Sequence, residues 1–175
     1  LRLHLGPQDG PRVDVLIHRP AANDGAVPAF LGLNFFGNHS NHSDPAILLS
    51  DQWMEDDPSQ GIQDHRATER SRGTRASRWP VETIVERGYA LVVAHYGDLD
   101  PDYDDGFQNG VHPLFYRGGQ SRPDPDQWGA IGAWAWGLCR ILDFLESHSA
   151  IDHRRVAVIG HSRLGKAALW AAAQD

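Results

Sequence analysis

Seven residues, Gly160-His161-Ser162-Arg163-Leu164-Gly165-Lys166, separate a β-branched run, Val156 to Ile159, from an alanine-rich run, Ala167 to Ala173. Valine and isoleucine suit a strand, and alanine and leucine suit a helix, so the chain must pass from one into the other across this short stretch. Four chemistries fit such a turn. A dinucleotide fingerprint would use Gly160 and Gly165, but Ser162 replaces its middle glycine, where a Cβ blocks the approach of a pyrophosphate. A phosphate-cradling loop has Gly160, Gly165 and Lys166 in register and fails only at Ala167, where the magnesium-binding hydroxyl should stand. A nucleophile elbow wants glycine two places before Ser162 and finds Gly160, yet its second glycine comes at 165 and Leu164 takes the expected place. An ordinary loop with Ser162 as a helix N-cap is the fourth.

The rest of the chain supplies the sheet for that turn. Val13, Val15 and Ile17 alternate with other residues as a strand does, Pro20 to Gly25 reads as the turn after it, and Val27 to Phe36 is a near-continuous apolar run suited to an interior parallel strand. Pro80 opens a short helix that Gly88 closes, and Tyr89 to Ala94 is the next buried strand. Asp124-Pro125 caps a longer helix whose Ile131, Trp134, Leu138, Ile141, Leu142 and Leu145 recur at helical spacing. Gly37 to Asp64, rich in Asn, Ser, His and Asp, reads as a surface excursion or lid with a short helix around Ala46 to Trp53. Strand and helix alternate to the last residue, the pattern of an α/β protein.

With 175 residues and 41% hydrophobic side chains the chain can build one core, and one domain is the expectation. A formal charge of −7 argues against nucleic acid or an anionic membrane as partner. The arginines at 66, 70, 72, 75 and 78 form the one dense basic stretch and read as a solvated loop face. Cys139, the sole cysteine, has no partner for an intramolecular disulfide and reads as a buried thiol. No stretch approaches the roughly twenty apolar residues that span a bilayer.

The heptapeptide at 160–166 resembles the G-x-S-R-x-G-K signature of the glucuronoyl esterases, carbohydrate esterase family fifteen, whose second glycine is also one place late. Leu33-Asn34-Phe35-Phe36-Gly37-Asn38-His39, Ser77-Arg78-Trp79-Pro80, Ala94-His95-Tyr96-Gly97-Asp98 and Trp128 to Gly137 are similar to its bacterial members, in unbroken order from about Val27. Fungal members commonly have cysteine where His161 stands. The resemblance implies an α/β-hydrolase fold, a mostly parallel sheet with helices on both faces, of which residues 1–175 form the N-terminal part of a single catalytic domain, truncated after the nucleophile helix.

It further implies a serine esterase that cleaves 4-O-methylglucuronoyl esters joining glucuronoxylan to lignin alcohols through an acyl-enzyme on Ser162. Another carbohydrate ester, such as an acetylated xylan, is the alternative within that chemistry, and a nucleotide-binding module using Lys166 is the alternative outside it. Arg163 would donate its N–H to the oxyanion, and in the family its side chain adds positive charge there; its other reading is a surface ion pair. The second donor is expected from Asn34 to Gly37. Lys166, one helical turn after Ser162, shares its face, and the resemblance makes it a contact to uronic-acid hydroxyls. No cofactor or metal is called for, and the resemblance implies a secreted or periplasmic enzyme, monomeric when complete. Triad order in α/β-hydrolases is serine, acid, histidine, and all ten histidines precede Ser162. The chain is therefore expected to lack its acid and base and to be inactive alone.

Other clusters are weighed in the same way. Asp98, Asp100, Asp102, Asp104 and Asp105 alternate like calcium ligands, but the glycine and glutamate of a calcium loop are missing and a solvated turn is the reading. His39 and His42 lack a third ligand and read as loop histidines. Trp134 lies on the apolar stripe of its helix and reads as core, whereas Trp128 and Trp136 are free to meet a sugar ring. Asn38 and Asn41 each match the short N-x-S glycosylation pattern and are read as unmodified unless the protein is a secreted eukaryotic one.

Overall fold

A computed structural model describes residues 1–21 and 25–175, so most of the turn read at Pro20 to Gly25 lies outside the described residues. In chain order the elements are β1 (Arg2–His4), β2 (Arg12–His18), β3 (Val27–Asn34), β4 (Ile62–Gln63), β5 (Arg66–Ala67), α1 (Val81–Glu86), β6 (Ala90–His95), α2 (Ala130–Glu146), β7 (Ile151–Ile159) and α3 (Arg163–Gln174). The main sheet runs β1-β2-β6-β3-β7; β6, β3 and β7 are parallel, β2 and β1 join antiparallel at one side, and β4 and β5 form a separate ribbon.

Side chains on β3 and β6 alternate between two apolar layers, as the pleat requires. Leu31, Leu33, Val92 and Ala94 face α2 and α3, while Phe30, Leu91 and Val93 face α1, so helices cover both faces. The α2 stripe is as its spacing predicts: Trp134, Leu138, Ile141 and Leu145 are buried. Trp134 also donates its indole N–H to the Asp100 carbonyl at 2.9 Å, tying the loop after β6 to the core. Trp134→Ala should destabilise the full-length protein by about 3–5 kcal/mol, since a large side chain leaves a cavity and that carbonyl loses its partner. Urea unfolding checks this, and a loss under about 1 kcal/mol would contradict the packing.

Several local readings are corrected. The α2 helix starts at Ala130, because Asp124 closes a turn of its own with Gln127 N–H at 2.9 Å and Gly129 is extended at ψ −159. Val156 to Ile159 forms the end of β7 as its composition predicts, paired with β3, and its Val156, Val158 and Ile159 are half-buried against the apolar layers. Strand β1 was below the reach of periodicity at three residues. Cys139 is half-buried, and burial pushes its thiol pKa up. Among the described residues no helix is long and apolar enough to cross a membrane.

The segment after β3 departs most. No helix forms at 46–53, and Asn38, His39, Ser40 and Asn41 are buried beneath the loops. Neither Asn38 nor Asn41 presents its amide to a glycosylating enzyme once folded; Asn38 spends its N–H on the Asp14 carbonyl at 2.7 Å. His39 accepts the Ser50 N–H on Nδ1 at 3.3 Å and sits 2.7 Å from Ser71 Oγ through Nε2, while Ser71 Oγ–H is committed to the Thr68 carbonyl. The ring is therefore neutral, with its proton on Nε2.

Burial, aided by the Arg72 charge, holds the His39 pKa down to about 4. The unfolded chain takes up this proton near pH 6.5 and the folded chain resists it, so the contribution is complete above about pH 6.5 and lost as pH falls toward 4. The loss should amount to about 2–3 kcal/mol over that window. His39→Gln should flatten the corresponding part of the stability profile measured by urea at pH 7 and pH 4.5; equal slopes in both proteins would contradict it.

Candidate active site

Parallel strands β3 and β7 end at Asn34 and Ile159 on the same side of the sheet, where α/β proteins place their ligands. From Ile159 the chain turns through Gly160, His161 and Ser162 directly into α3. Gly160 is required by contact: a Cβ there would lie 2.3 Å from the Leu164 carbonyl oxygen. Gly165 faces back onto that glycine, with a Cβ reaching 3.3 Å from the Gly160 carbonyl oxygen. The intervening Leu164 is 1% exposed and belongs to the core. The late second glycine is thus explained: position 165 abuts the strand end, and position 164 plugs the core beneath it.

Ser162 adopts φ 55 and ψ −126, a conformation that costs a non-glycine residue about 1–3 kcal/mol. It is exposed, and its hydroxyl makes no capping bond to α3. An N-cap serine would accept a first-turn N–H; here Leu164 N–H goes instead to the His161 carbonyl at 3.0 Å and Lys166 N–H to the Ser162 carbonyl at 3.2 Å. The Arg163 N–H has no partner among the described residues and sits at the positive end of the α3 dipole. The turn is too tight to form an open phosphate cup, with the Gly160 backbone pressed against Leu164.

Beside the turn opens a cavity of about 450 Å³, lined among others by Phe36, Arg75, Arg78, Trp79, Ile159 and His161. Arg75 stacks on Phe36 at 3.9 Å, and its Nε is buried without a partner. The basic stretch is thus only partly a solvated face: Arg75 enters this wall, and Arg72 is largely buried, pairing with Glu69 at 2.8 Å and donating to the Ile47 carbonyl. Asn34 is a staple, its amide bonded to the Asn38 side chain and the Ala94 carbonyl. Phe35 and Phe36, which follow it, line the cavity.

The acidic loop does not stand out in solvent as a turn would. Asp98 accepts the Asp14 N–H at 3.0 Å, and Asp100 is buried 3.1 Å from His112 Nδ1. Burial raises the Asp100 pKa against the pull of His112. Asp102 is the member that reaches the elbow: it forms an ion pair with Arg163 Nη2 and accepts the Tyr96 hydroxyl at 2.9 Å. The Arg163 guanidinium lies 5.0 Å over the Phe35 ring. Burial opposes its charge, but Tyr96 and Asp102 outweigh burial and hold its pKa above the ordinary value. Among the described residues no three His, Cys, Asp or Glu side chains converge as a metal site.

Lys166 is exposed one turn beyond Ser162. His39 and His42 do not form a pair, since His39 is buried on Ser71 while His42 lies near Glu82 and against His18. Trp128 stacks on His112 and meets Phe115 edge-on, as Trp136 also does. Sequence reasoning missed Tyr96, Asp102, Arg75 and Trp79 as neighbours of the turn, although Tyr96 and Trp79 lie in two of the stretches that carried the resemblance.

A strand, a sharp turn with an exposed serine at positive φ, and a helix whose N-terminus backs that serine are the nucleophile-elbow arrangement of the α/β-hydrolase class. A family model for the glucuronyl esterases of fungi matches residues 114–175. A carbohydrate esterase from an unknown prokaryotic organism is 45% identical over 96% of this chain and 39% of its own length. The glucuronoyl esterase of Solibacter usitatus superposes with a TM-score of 0.88 at 46% identity, over 97% of this chain and 42% of that one. A promiscuous esterase of carbohydrate esterase family fifteen from the marine bacterial metagenome gives 0.86 at 43% identity, over 99% of this chain and 43% of that one. Over nearly its whole length the chain is similar to the glucuronoyl esterases of carbohydrate esterase family fifteen, and it spans about two fifths of the length of these relatives.

Proposed function

We propose that the full-length protein is a serine carboxylic-ester hydrolase acting on glucuronoyl esters, with Ser162 as nucleophile. The observation that carries this reading is the exposed Ser162 hydroxyl, held at φ 55 at the C-terminal end of a parallel strand and free of any capping bond. Backbone strain of this kind persists only where its surroundings impose it, and here it turns the hydroxyl outward.

In this mechanism Ser162 Oγ attacks the ester carbonyl carbon while a general base takes its proton. The Arg163 N–H and guanidinium stabilise the tetrahedral oxyanion, which collapses to an acyl-enzyme as the alcohol leaves with that proton. Water then attacks the acyl carbon and releases the uronate. Among the described residues no histidine bonds to Ser162, and the chain order of α/β-hydrolases puts base and acid later in the sequence, so residues 1–175 by themselves should turn over at least about a thousandfold more slowly than the full-length protein. Lys166, on the same face as Ser162, is assigned to sugar hydroxyls. The substrate class is the 4-O-methylglucuronoyl ester between glucuronoxylan and lignin alcohols, which are polymers met outside the cell, hence a secreted or periplasmic location.

The test is covalent labelling. A fluorophosphonate should modify the full-length protein at Ser162, read by peptide mass spectrometry, and abolish hydrolysis of benzyl glucuronate in parallel. Labelling elsewhere, or inactivation without modification of Ser162, would overturn the assignment.

A further inference from the structure

We propose that Asp102, seated by Tyr96, is a positioning residue that aims the Arg163 guanidinium at the acyl oxygen and tempers its charge, so that it favours a developing oxyanion over the free carboxylate product. This deepens the esterase reading and rests on it. The three groups come from two segments, Tyr96 and Asp102 from the turn and loop that follow β6 and Arg163 from the start of α3, and converge beside the nucleophile. Asp102 engages one edge of the guanidinium through Nη2 and accepts the Tyr96 hydroxyl at 2.9 Å on the same oxygen, Oδ2.

Each partner is itself fixed. Tyr96 is 5% exposed, its ring 5.2 Å from Phe35 and 5.1 Å from Trp134. The Asp102 loop is held on one side by the buried Asp100 and His112 pair, and on the other by Tyr103 packed 4.7 Å from Trp53. Phe35, which supports the guanidinium from below, also lines the cavity at the turn. Arg163 Nε is buried without a partner, so the pairing leaves donor capacity unspent.

The chemistry makes the arrangement consequential. An unpaired guanidinium grips a carboxylate with two parallel hydrogen bonds, and the product of uronate ester hydrolysis carries a carboxylate at the reacting carbon. With one edge given to Asp102, Arg163 can stabilise a single oxyanion but offers the product a weaker, less complete grip. A fixed guanidinium also needs no reorganisation when the oxyanion forms.

The experiment uses the full-length protein and its Asp102→Asn and Tyr96→Phe variants, with benzyl glucuronate as substrate and free glucuronate as inhibitor. Asp102→Asn should lower kcat by about ten- to a hundredfold with KM within about threefold of wild type, because a misdirected oxyanion donor is felt in the transition state. Its Ki for glucuronate should tighten by about three- to tenfold as the guanidinium is freed. Tyr96→Phe keeps the ring packing and should move both quantities the same way by less, and it decides the matter if Asp102→Asn fails to fold. In an Arg163→Ala background Asp102→Asn should change neither.

A merely structural role would weaken glucuronate binding along with kcat. That result, or unchanged kcat and Ki, overturns the proposal while the esterase reading stands. A wild-type protein inert toward the ester would overturn both.

Discussion

Ser162→Ala in the full-length protein is expected to lower kcat toward glucuronate esters by on the order of 10⁴-fold or more, with fluorophosphonate labelling lost at the same time. The fold should hardly notice. Ser162 is exposed and its hydroxyl makes no capping bond, so the hydroxyl contributes little to stability. The backbone at φ 55 contributes in the other direction, as a strain that alanine keeps and glycine relieves. Ser162→Gly should therefore be equally inactive yet more stable than Ser162→Ala by about 1 kcal/mol. Paired urea titrations and initial rates check both statements; an alanine variant that retains a tenth of the activity would remove Ser162 from the chemistry.

The second large effect is expected at Gly160. An alanine Cβ there meets the Leu164 carbonyl oxygen at 2.3 Å and the Leu164 carbonyl carbon at 2.6 Å, which are backbone atoms of the first turn of α3 and cannot swing aside. Relief requires the helix start to move away from the strand end, carrying Ser162, Arg163 and the core-anchored Leu164 with it. Gly160→Ala should cost about 1–3 kcal/mol in stability and, by displacing Ser162, the proposed nucleophile, about a hundredfold or more in kcat. Gly165→Ala offers the internal comparison, since its Cβ would approach the Gly160 carbonyl oxygen only to 3.3 Å. It should cost much less on both measures, and equal effects at the two glycines would contradict the geometry described for the turn.

These two predictions come from the part of the molecule that was most legible in the amino-acid order. The heptapeptide is short, and steric necessity inside it is local: a glycine, a serine and a second glycine on a strand-to-helix turn have few ways to be arranged. The stripe of α2 was equally plain, because Trp134, Leu138, Ile141 and Leu145 record one helix face against one core. The start of that helix was misread because Asp124 satisfies a cap pattern while in fact closing a separate turn. A cap pattern identifies a residue that can hold N–H groups, and cannot tell which ones it will find.

Charged and polar residues were the least legible. Asp102 sits in an aspartate-rich loop indistinguishable in composition from a solvated one, and its partner Arg163 lies 61 positions later in the chain. Arg72, Arg75 and His39 likewise looked like loop residues, and each is held by groups from a different segment. Their burial is decided by what covers them.

By itself, the order of residues determined the alternation of strands and helices and the buried stripe of α2, since both follow from side-chain periodicity, while the kind of turn at 160–166 and the helices on both faces were legible only through the family resemblance. Only the tertiary structure decided that Asn38 to Asn41 are interior and that Asp102 and Tyr96 gather beside Arg163. The physical reason is desolvation: a polar side chain leaves water only where a distant segment supplies its hydrogen bonds, and that pairing exists only once the chain has folded.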